Sequence, residues 1–351
     1  MTLRLRTLEV VRAGGTVTGL AGAASGQSRR DGLLVRVCDA DGVCGQGEAS
    51  PLPGYSPDTL DECAAQLARV DAAAIGRQDA GAICEWIART LDEAGVTAPA
   101  ARFGLETALL DWLGKRLGLS VAVLLGGANA AQRQVPLAAL VSDPPSVRAA
   151  HARGIRTFKL KLSPATWSDD LRLARAIRDE LGSGIALRFD PNGRLPPAHA
   201  VALLAELASL APEFVEEPVP FADFLRLTQA PVPLAADESL ARPDAWPALA
   251  SVCRVLVLKP ALLGGACRCL ALARDATARG LALAVTHTFD GPVALAAAAE
   301  LAAALPGQPL ACGLDRHAGL AAWPRIPVPQ LGAAEAGSAG QPGLGLAAIA
   351  L

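Results

Sequence analysis

The rhythm of apolar and polar positions changes about a third of the way along the chain. At first it is the two-residue period of strands. Leu3 to Val11 and Leu33 to Cys38 alternate, and Asp41-Gly42 marks a turn into a third run, Val43 to Glu48. Between the first two runs, Gly14 to Arg30 is rich in Gly, Ser, Thr and Ala and reads as a surface loop, long enough to serve as a lid. After the turn Pro51-Leu52-Pro53-Gly54 the period becomes helical, near 58–70, 79–93 and 100–118, the last with Phe103, Ala108, Leu110 and Trp112 among its apolar positions. Residues 1–125 are thus expected to form an α+β domain.

From residue 134 short apolar runs recur, each followed by a segment of helix length. They fall at 135–141, 157–162, 185–190, 213–216, 232–236, 253–259, 282–287 and 309–312, with Asp169 to Leu181, Ala198 to Leu210 and Gly265 to Arg279 among the segments between them. Eight strands alternating with seven helical segments predict an α/β fold, a modified (β/α)7β TIM-type barrel over 126–315 rather than an open doubly wound sheet. No GxGxxG follows the first strand, so nucleotide binding is not suggested. The Pro/Gly/Ala-rich tail, 316–351, is expected to pack back on the first domain, which then caps the barrel.

Composition adds limits. The chain is 52% hydrophobic but only 4% aromatic, which favours Ala- and Leu-rich helices. Its net charge of −2, from 32 basic and 34 acidic residues, gives no one-sign field for nucleic acid or a membrane surface. The start, MTLRLRTLEV, lacks the apolar core of a signal peptide, and Val293 to Leu305 carries Glu300 and is too short to span a bilayer. A cytoplasmic protein is expected. Its eight cysteines show no CxxC or Cys/His metal spacing, and Cys267 and Cys269 sit two apart in a predicted helix, where they do not face each other. Reduced, mostly buried thiols are the expectation.

The chemistry lies in where the charges fall. Lys159 and Lys161 sit in the second barrel strand, Asp190 ends the third, Glu216 the fourth, Asp237 the fifth and Lys259 the sixth. An acidic residue after one strand is ordinarily a helix cap or a loop charge, and a lysine pair on an edge strand protects against aggregation. Charges delivered in register by five successive strands are poorly explained as independent loop charges. In a barrel these strand ends converge on one mouth, where the active site of such folds lies. Residues two apart on a strand share a face, so both lysines point inward. Three carboxylates from adjacent strands make a hard oxygen site suited to Mg2+ or Mn2+. A cation there offsets the second negative charge that builds up when a proton leaves the carbon beside a carboxylate. Lys161, with Lys159 as a cationic neighbour, is the candidate base, and Lys259 lies across the barrel as electrostatic partner or opposite-face acid.

At these residues the chain resembles the enolase superfamily, within it the muconate-lactonizing subgroup, with Lys-x-Lys on the second strand, Asp, Glu and Asp metal ligands, and a lysine on the sixth. The segments Gly45-Gln-Gly-Glu-Ala-Ser-Pro-Leu-Pro-Gly-Tyr-Ser56, Val257-Leu-Lys-Pro260 with Gly264-Gly265, and Gly313-Leu-Asp315 look most like o-succinylbenzoate synthases. The resemblance implies a lyase, acting on a small carboxylate by syn-dehydration of 2-succinyl-6-hydroxy-2,4-cyclohexadiene-1-carboxylate, a step toward menaquinone. It further implies that Lys161 removes the α-proton and then protonates the departing hydroxyl, that Lys259 stabilises the enediolate, and that Asp190, Glu216 and Asp237 hold Mg2+. Lys159, Arg188, Asn192 and Glu238 would support these groups, and Thr286, Thr288 and Gly313 would meet the substrate.

Two segments depart from the family pattern. Asp190-Pro191-Asn192 stands where the family often has Asp-Ala-Asn, which keeps the spacing and stiffens the backbone. Thr286-His287-Thr288 replaces a serine-rich seventh strand and keeps two hydroxyls. Some superfamily members use a histidine on that strand as base, paired with an acid on the sixth, where this chain has Lys259. Alternation also turns His287 away from its neighbours' face, so it is expected to be structural, as are His151, His199 and His317. Two opposed lysines also suit racemisation of an N-acylamino acid or epimerisation of a dipeptide. Dipeptide epimerases typically carry an acidic pair late in the barrel for the substrate ammonium, a role into which Asp290 and Asp315 could be forced, though the Gly313-Leu-Asp315 match argues otherwise.

Overall fold

The computed structural model describes residues 3–18, 29–77, 82–131, 133–242, 244–329, 332–337 and 340–349. The N-terminal strands β1 (Leu3–Thr16), β2 (Arg29–Asp39) and β3 (Cys44–Ala49) form an antiparallel sheet, extended by a two-residue strand at Gly76–Arg77. The β1–β2 hairpin outruns the apolar alternation, because backbone pairing continues through Gly14 with Asp31 and Thr16 with Arg29. Both ends of the expected 14–30 loop are therefore strand, and 19–28 lie outside the described residues.

Three helices follow. In α1 (Leu60–Leu67) the Thr59 hydroxyl accepts the Glu62 N–H while Glu62 accepts the Thr59 N–H, a reciprocal cap. α2 (Ile83–Glu93) covers the expected 79–93 stretch from 83 onward; Ala82 is its N-cap, and 79–81 lie outside the described residues. α3 (Pro99–Leu117) starts at a proline and stops at Gly118, whose φ of +66° ends the helix in a left-handed turn. It is buried on nearly every side, between β3 and the barrel segment Pro260–Leu263. Two glycines allow that approach. A Cβ on Gly45 would lie 2.0 Å from the Ala108 carbonyl oxygen, and one on Gly47 would lie 1.9 Å from that of Gly104.

The second unit is a parallel sheet in chain order, with β4 (Ala138–Leu140), β5 (Thr157–Lys161), β6 (Ala186–Asp190), β7 (Phe214–Glu216), β8 (Leu234–Ala236), β9 (Val255–Leu258) and β10 (Ala282–Val285). The expected first strand, 135–141, is divided. Gln134–Pro136 pairs with Glu335–Gly337 of the tail, and only Ala138–Leu140 joins the barrel. The expected eighth strand is reduced to two bridges, Leu137 to Cys312 and Thr286 to Gly313. Those bridges close the ring: the Ala138 N–H donates to the Cys312 carbonyl at 2.8 Å and the Gly313 N–H to the Val285 carbonyl at 2.9 Å. Helices α4 (Pro144–Ala152), α5 (Trp167–Leu181), α6 (Ala200–Ala208), α7 (Trp246–Val252), α8 (Ala266–Ala278) and α9 (Pro292–Ala304) make the connections, with a single turn at Phe221–Phe224 between β7 and β8. No described helix is long and apolar enough to cross a membrane.

The cap is joined to the barrel through helix ends. Glu48, fully buried on β3, accepts the N–H groups of Gly291, Val293 and Ala294 at 2.6, 3.1 and 3.2 Å, satisfying the start of α9. Glu106 of α3 does the same for α8 through the Cys267 N–H at 2.8 Å. A helix N-terminus presents unpaired donors and a positive dipole end, so each carboxylate serves as a cap supplied by the other unit. The tail is fastened by Gln46, which accepts the Ile349 N–H at 2.7 Å, and by Asp111, which accepts the Leu344 N–H at 2.8 Å.

The cysteines require a correction. Disulfides join Cys38 to Cys44 and Cys84 to Cys267, while Cys63, Cys253, Cys269 and Cys312 are free and buried. Cys38 and Cys44 face each other directly across the β2–β3 hairpin, and the second bridge links α2 to the start of α8. Thiol titration of denatured, unreduced protein is therefore expected to find the four free cysteines, rising to all eight after reduction. Eight without reduction would contradict both bridges.

Glu48 also predicts a pH effect. Burial, then the charge of Asp290, pushes its carboxyl up to about 7 against the hydrogen bonds from Ser50 and the helix N–H groups. A carboxyl raised on folding adds stability in full below its ordinary value, and that contribution is lost as pH climbs through the folded value. Glu48→Gln cannot ionise, so its stability relative to the parent is expected to improve by roughly 3 kcal/mol between about pH 4.5 and 8. Urea midpoints across that range provide the test, and parallel curves would contradict it.

Candidate active site

The C-terminal strand ends open into a cavity of about 440 Å³ whose lining includes Lys159, Lys161, Glu216 and Lys259. On β5 the two lysines share the inward face. Lys159 Nζ lies 2.7 Å from Asp190 and 2.5 Å from Glu216, and Lys161 Nζ lies 2.6 Å from Asp190. Strand register sets this meeting, because Lys161 is the direct backbone neighbour of Asp190 across β5 and β6. The turn after β6 brings in the next group. Asn192 adopts a left-handed φ of +51°, a conformation asparagine tolerates, its N–H donates to Asp190, and its side-chain oxygen accepts from Lys161 at 2.6 Å.

Asp190, Glu216 and Asp237 are all buried, and each offers an oxygen within 4.8 Å of the others. Asp237 Oδ1 is buried with no hydrogen-bond partner among the described residues. A trio of carboxylate oxygens with an open acceptor suits a hard divalent cation, so these residues can hold a metal ion. Glu217 fixes the third ligand's backbone. Its buried carboxylate, itself on a residue with φ of +36°, accepts the N–H groups of Asp237 and Ser239 at 2.8 and 2.9 Å.

Burial and pairing set the charges. Burial disfavours ionised Asp190, but Lys159, Lys161 and Lys259 outweigh it and hold the carboxyl well below its usual range. Burial raises Glu216, and it pushes Asp237 up to about 6 despite Lys259. Among the lysines, burial is opposed by Asp190 and Glu216 at Lys159 and by Asp237 and Glu238 at Lys259, which both end above their ordinary value. At Lys161 burial prevails over Asp190, helped by the two other lysines, and its value falls.

Lys259 follows β9 and reaches the site from the far side. Its ammonium donates to Asp237 at 2.5 Å and to the Tyr55 hydroxyl at 2.5 Å, and sits 4.7 Å from the centre of the Tyr55 ring. Glu238 accepts from that hydroxyl at 3.4 Å. Arg188 lies one inward position below Asp190. Its hydrogen bonds go to Glu213 and the Ala311 carbonyl, both at 2.6 Å, rather than to the carboxylate trio. Thr286, Thr288 and Gly313 line the cavity. Thr286 donates to the Gly313 carbonyl at 3.0 Å and Thr288 to Asp290 at 2.6 Å, and a Cβ on Gly313 would lie 2.4 Å from the Thr286 hydroxyl.

His287 does not turn away as alternation predicts. β10 stops at Val285, and beyond it Thr286, His287 and Thr288 all line the cavity. The ring packs 4.1 Å from that of His317, and its Nδ1 accepts the Phe289 N–H at 3.1 Å. Burial lowers its pKa to about 4, which keeps it neutral.

Three residues escaped the sequence reading. Fully buried Arg30 donates to the carbonyls of Ser50 and Pro51 on the cap and of Thr288 and Phe289 on the barrel. Glu217 is hidden by its neighbour Glu216 in an acidic pair that reads as loop charge. Tyr55 had one available signal, being the only tyrosine in the chain, within the Pro-rich turn.

Comparison with known proteins agrees with this geometry. Residues 8–126 match the family described as "Mandelate racemase / muconate lactonizing enzyme, N-terminal domain", and residues 145–348 match "Enolase C-terminal domain-like". Muconate cycloisomerase 1 of Pseudomonas putida is 31% identical over 281 residues, covering 76% of this chain and 75% of that protein. o-Succinylbenzoate synthase of Thermobifida fusca is 31% identical over 310 residues, covering 85% and 80%. An aromatic dipeptide epimerase of Herpetosiphon aurantiacus is 30% identical over 298 residues, covering 80% and 81%. The crystal structure of muconate lactonizing enzyme from Pseudomonas fluorescens complexed with muconolactone superposes with a TM-score of 0.85 at 27% identity, over 98% of this chain and 96% of that one. With both family matches spanning the cap and the barrel, this chain belongs to the enolase superfamily, in its muconate-lactonizing subgroup.

Proposed function

We propose that the protein is an o-succinylbenzoate synthase, a Mg2+-dependent lyase that dehydrates 2-succinyl-6-hydroxy-2,4-cyclohexadiene-1-carboxylate to 2-succinylbenzoate in menaquinone biosynthesis. The observation that carries the enolising half of this reading is the cluster of three buried carboxylates faced by lysines from β5 and from the end of β9. Asp190, Glu216 and Asp237 would hold Mg2+, which when bound offsets the charge that develops on the substrate carboxylate. Lys161 Nζ takes the proton from the carbon beside that carboxylate, leaving an enediolate. The electron pair then returns to form the ring double bond as the C–O bond at carbon 6 breaks, and the same Lys161 gives its proton to the departing hydroxyl, which leaves as water. Acid and base on one lysine make this a syn elimination. The Lys259 ammonium, opposite, balances the negative charge of the intermediate. Lys159 stays paired with Asp190 and Glu216 and holds their carboxylates in place.

Racemisation of an acylamino acid or epimerisation of a dipeptide would use the same groups, and opposed lysines suit either. A dipeptide's ammonium needs a free acid, and both late acids are engaged. Asp315 forms a two-pronged pair with Arg153, and Asp290 is buried against Arg30 and bonded to Thr288. Gly313 adds no side chain to that wall. These contacts favour a substrate without an ammonium group, as does the likeness to the Thermobifida synthase.

The reading is tested by assaying the Mg2+-loaded protein with the cyclohexadiene carboxylate and, in parallel, with N-succinyl amino acids and dipeptides. Dehydration is expected to be the efficient reaction, and Lys161→Ala to lower its kcat by on the order of 10³- to 10⁴-fold. Robust racemisation without dehydration would overturn the substrate assignment. Full activity in Lys161→Ala would overturn the mechanism.

A further inference from the structure

We propose that Tyr55 is a positioning residue, through which the capping unit fixes the ammonium of Lys259 in the wall of the barrel cavity. The two residues are far apart in sequence and belong to different units, yet three contacts converge. Lys259 donates to the Tyr55 hydroxyl at 2.5 Å, its ammonium stands 4.7 Å from the ring centre, and the hydroxyl passes its own proton toward Glu238 at 3.4 Å. A hydroxyl that accepts from a cation and donates to a carboxylate is oriented at both ends. The ring face adds a cation–π attraction that disfavours swinging the flexible four-carbon stem elsewhere.

The loop bearing Tyr55 is itself anchored. The N–H groups of Tyr55 and Ser56 both donate to the Leu52 carbonyl, at 3.0 and 2.8 Å, and the Leu52 N–H donates to the Ser56 hydroxyl at 2.9 Å. Upstream, Arg30 gathers the Ser50 and Pro51 carbonyls together with those of Thr288 and Phe289 beyond β10. The path from barrel wall to Tyr55 hydroxyl is therefore a short, hydrogen-bonded segment. Without Tyr55, Lys259 keeps Asp237 as partner but loses the contact that sets its direction.

The turnover arm of the test rests on the proposed dehydration, and the labelling arm does not. Full-length protein loaded with Mg2+ is treated with trace acetic anhydride, and acetylation at Lys259 is compared by mass spectrometry in the parent and in Tyr55→Phe, with exposed lysines as internal reference. Tyr55→Phe keeps the ring and removes the hydroxyl. Its Lys259 is expected to label several-fold faster, while kcat falls by on the order of 10- to 100-fold and KM changes little. Tyr55→Leu, which removes the ring as well, is expected to lose more. If the parent fails to turn over the cyclohexadiene carboxylate but Tyr55→Phe labels faster at Lys259, the positioning role stands and the substrate assignment falls. Unchanged labelling would overturn the positioning role. So would faster labelling with an unchanged kcat in an enzyme that dehydrates this substrate.

Discussion

Everything at this barrel mouth depends on mutual compensation of buried charge. Asp190, Glu216 and Asp237 lie almost wholly out of solvent and within a few ångströms of one another, an arrangement whose self-repulsion and desolvation are prohibitive for anions on their own. Lys159, Lys161 and Lys259 are the counterweight, each bonded to at least one of the three. The barrel makes the balance achievable because parallel register brings successive strand ends together. Chain order alone then sets which charge meets which. That order puts Lys161 beside Asp190 and its Asn192 turn, while Lys259 enters from the far side against Asp237. Two lysines with different partners thus sit on opposite walls of one cavity, a condition for giving them different roles.

The capping unit extends the same principle. Two of its buried acids occupy the N-termini of barrel helices, Glu48 on α9 and Glu106 on α8. Arg30 works in the reverse sense, filling a buried cluster of carbonyls from both units with donors. These contacts are polar, directional and hidden from water, so they fix orientation as well as attachment. Function inherits that orientation, since the loop between Glu48 and α1 is the one that carries Tyr55 to Lys259.

The legible parts of the sequence were those governed by local period and by strand-end position. Asp190, Glu216, Asp237 and Lys259 end apolar runs and Lys159 and Lys161 share the inward face of another, so the six read as one set that the fold makes converge. Parts decided by distant partners were not legible. The eighth strand depends on two bridges supplied by neighbours, so its apolar run at 309–312 overstated it. Alternation points His287 outward, but the strand stops at Val285. Arg188 shares a strand with Asp190, and its guanidinium is captured by Glu213 and a carbonyl from the last bridge segment. The Cys84–Cys267 bridge joins residues from two units and leaves no trace in spacing, whereas Cys38 and Cys44, flanking an expected hairpin turn, could have been read as a pair.

The central claim is that the three strand-end carboxylates form one metal site that the lysines serve. Calorimetric titration of Mg2+ into the full chain, in the parent and in Asp237→Asn, tests it most directly. One ion per chain in the parent, with binding abolished or greatly weakened in the variant, is the predicted result. Absence of Mg2+ binding in the parent, or undiminished binding in Asp237→Asn, would contradict it.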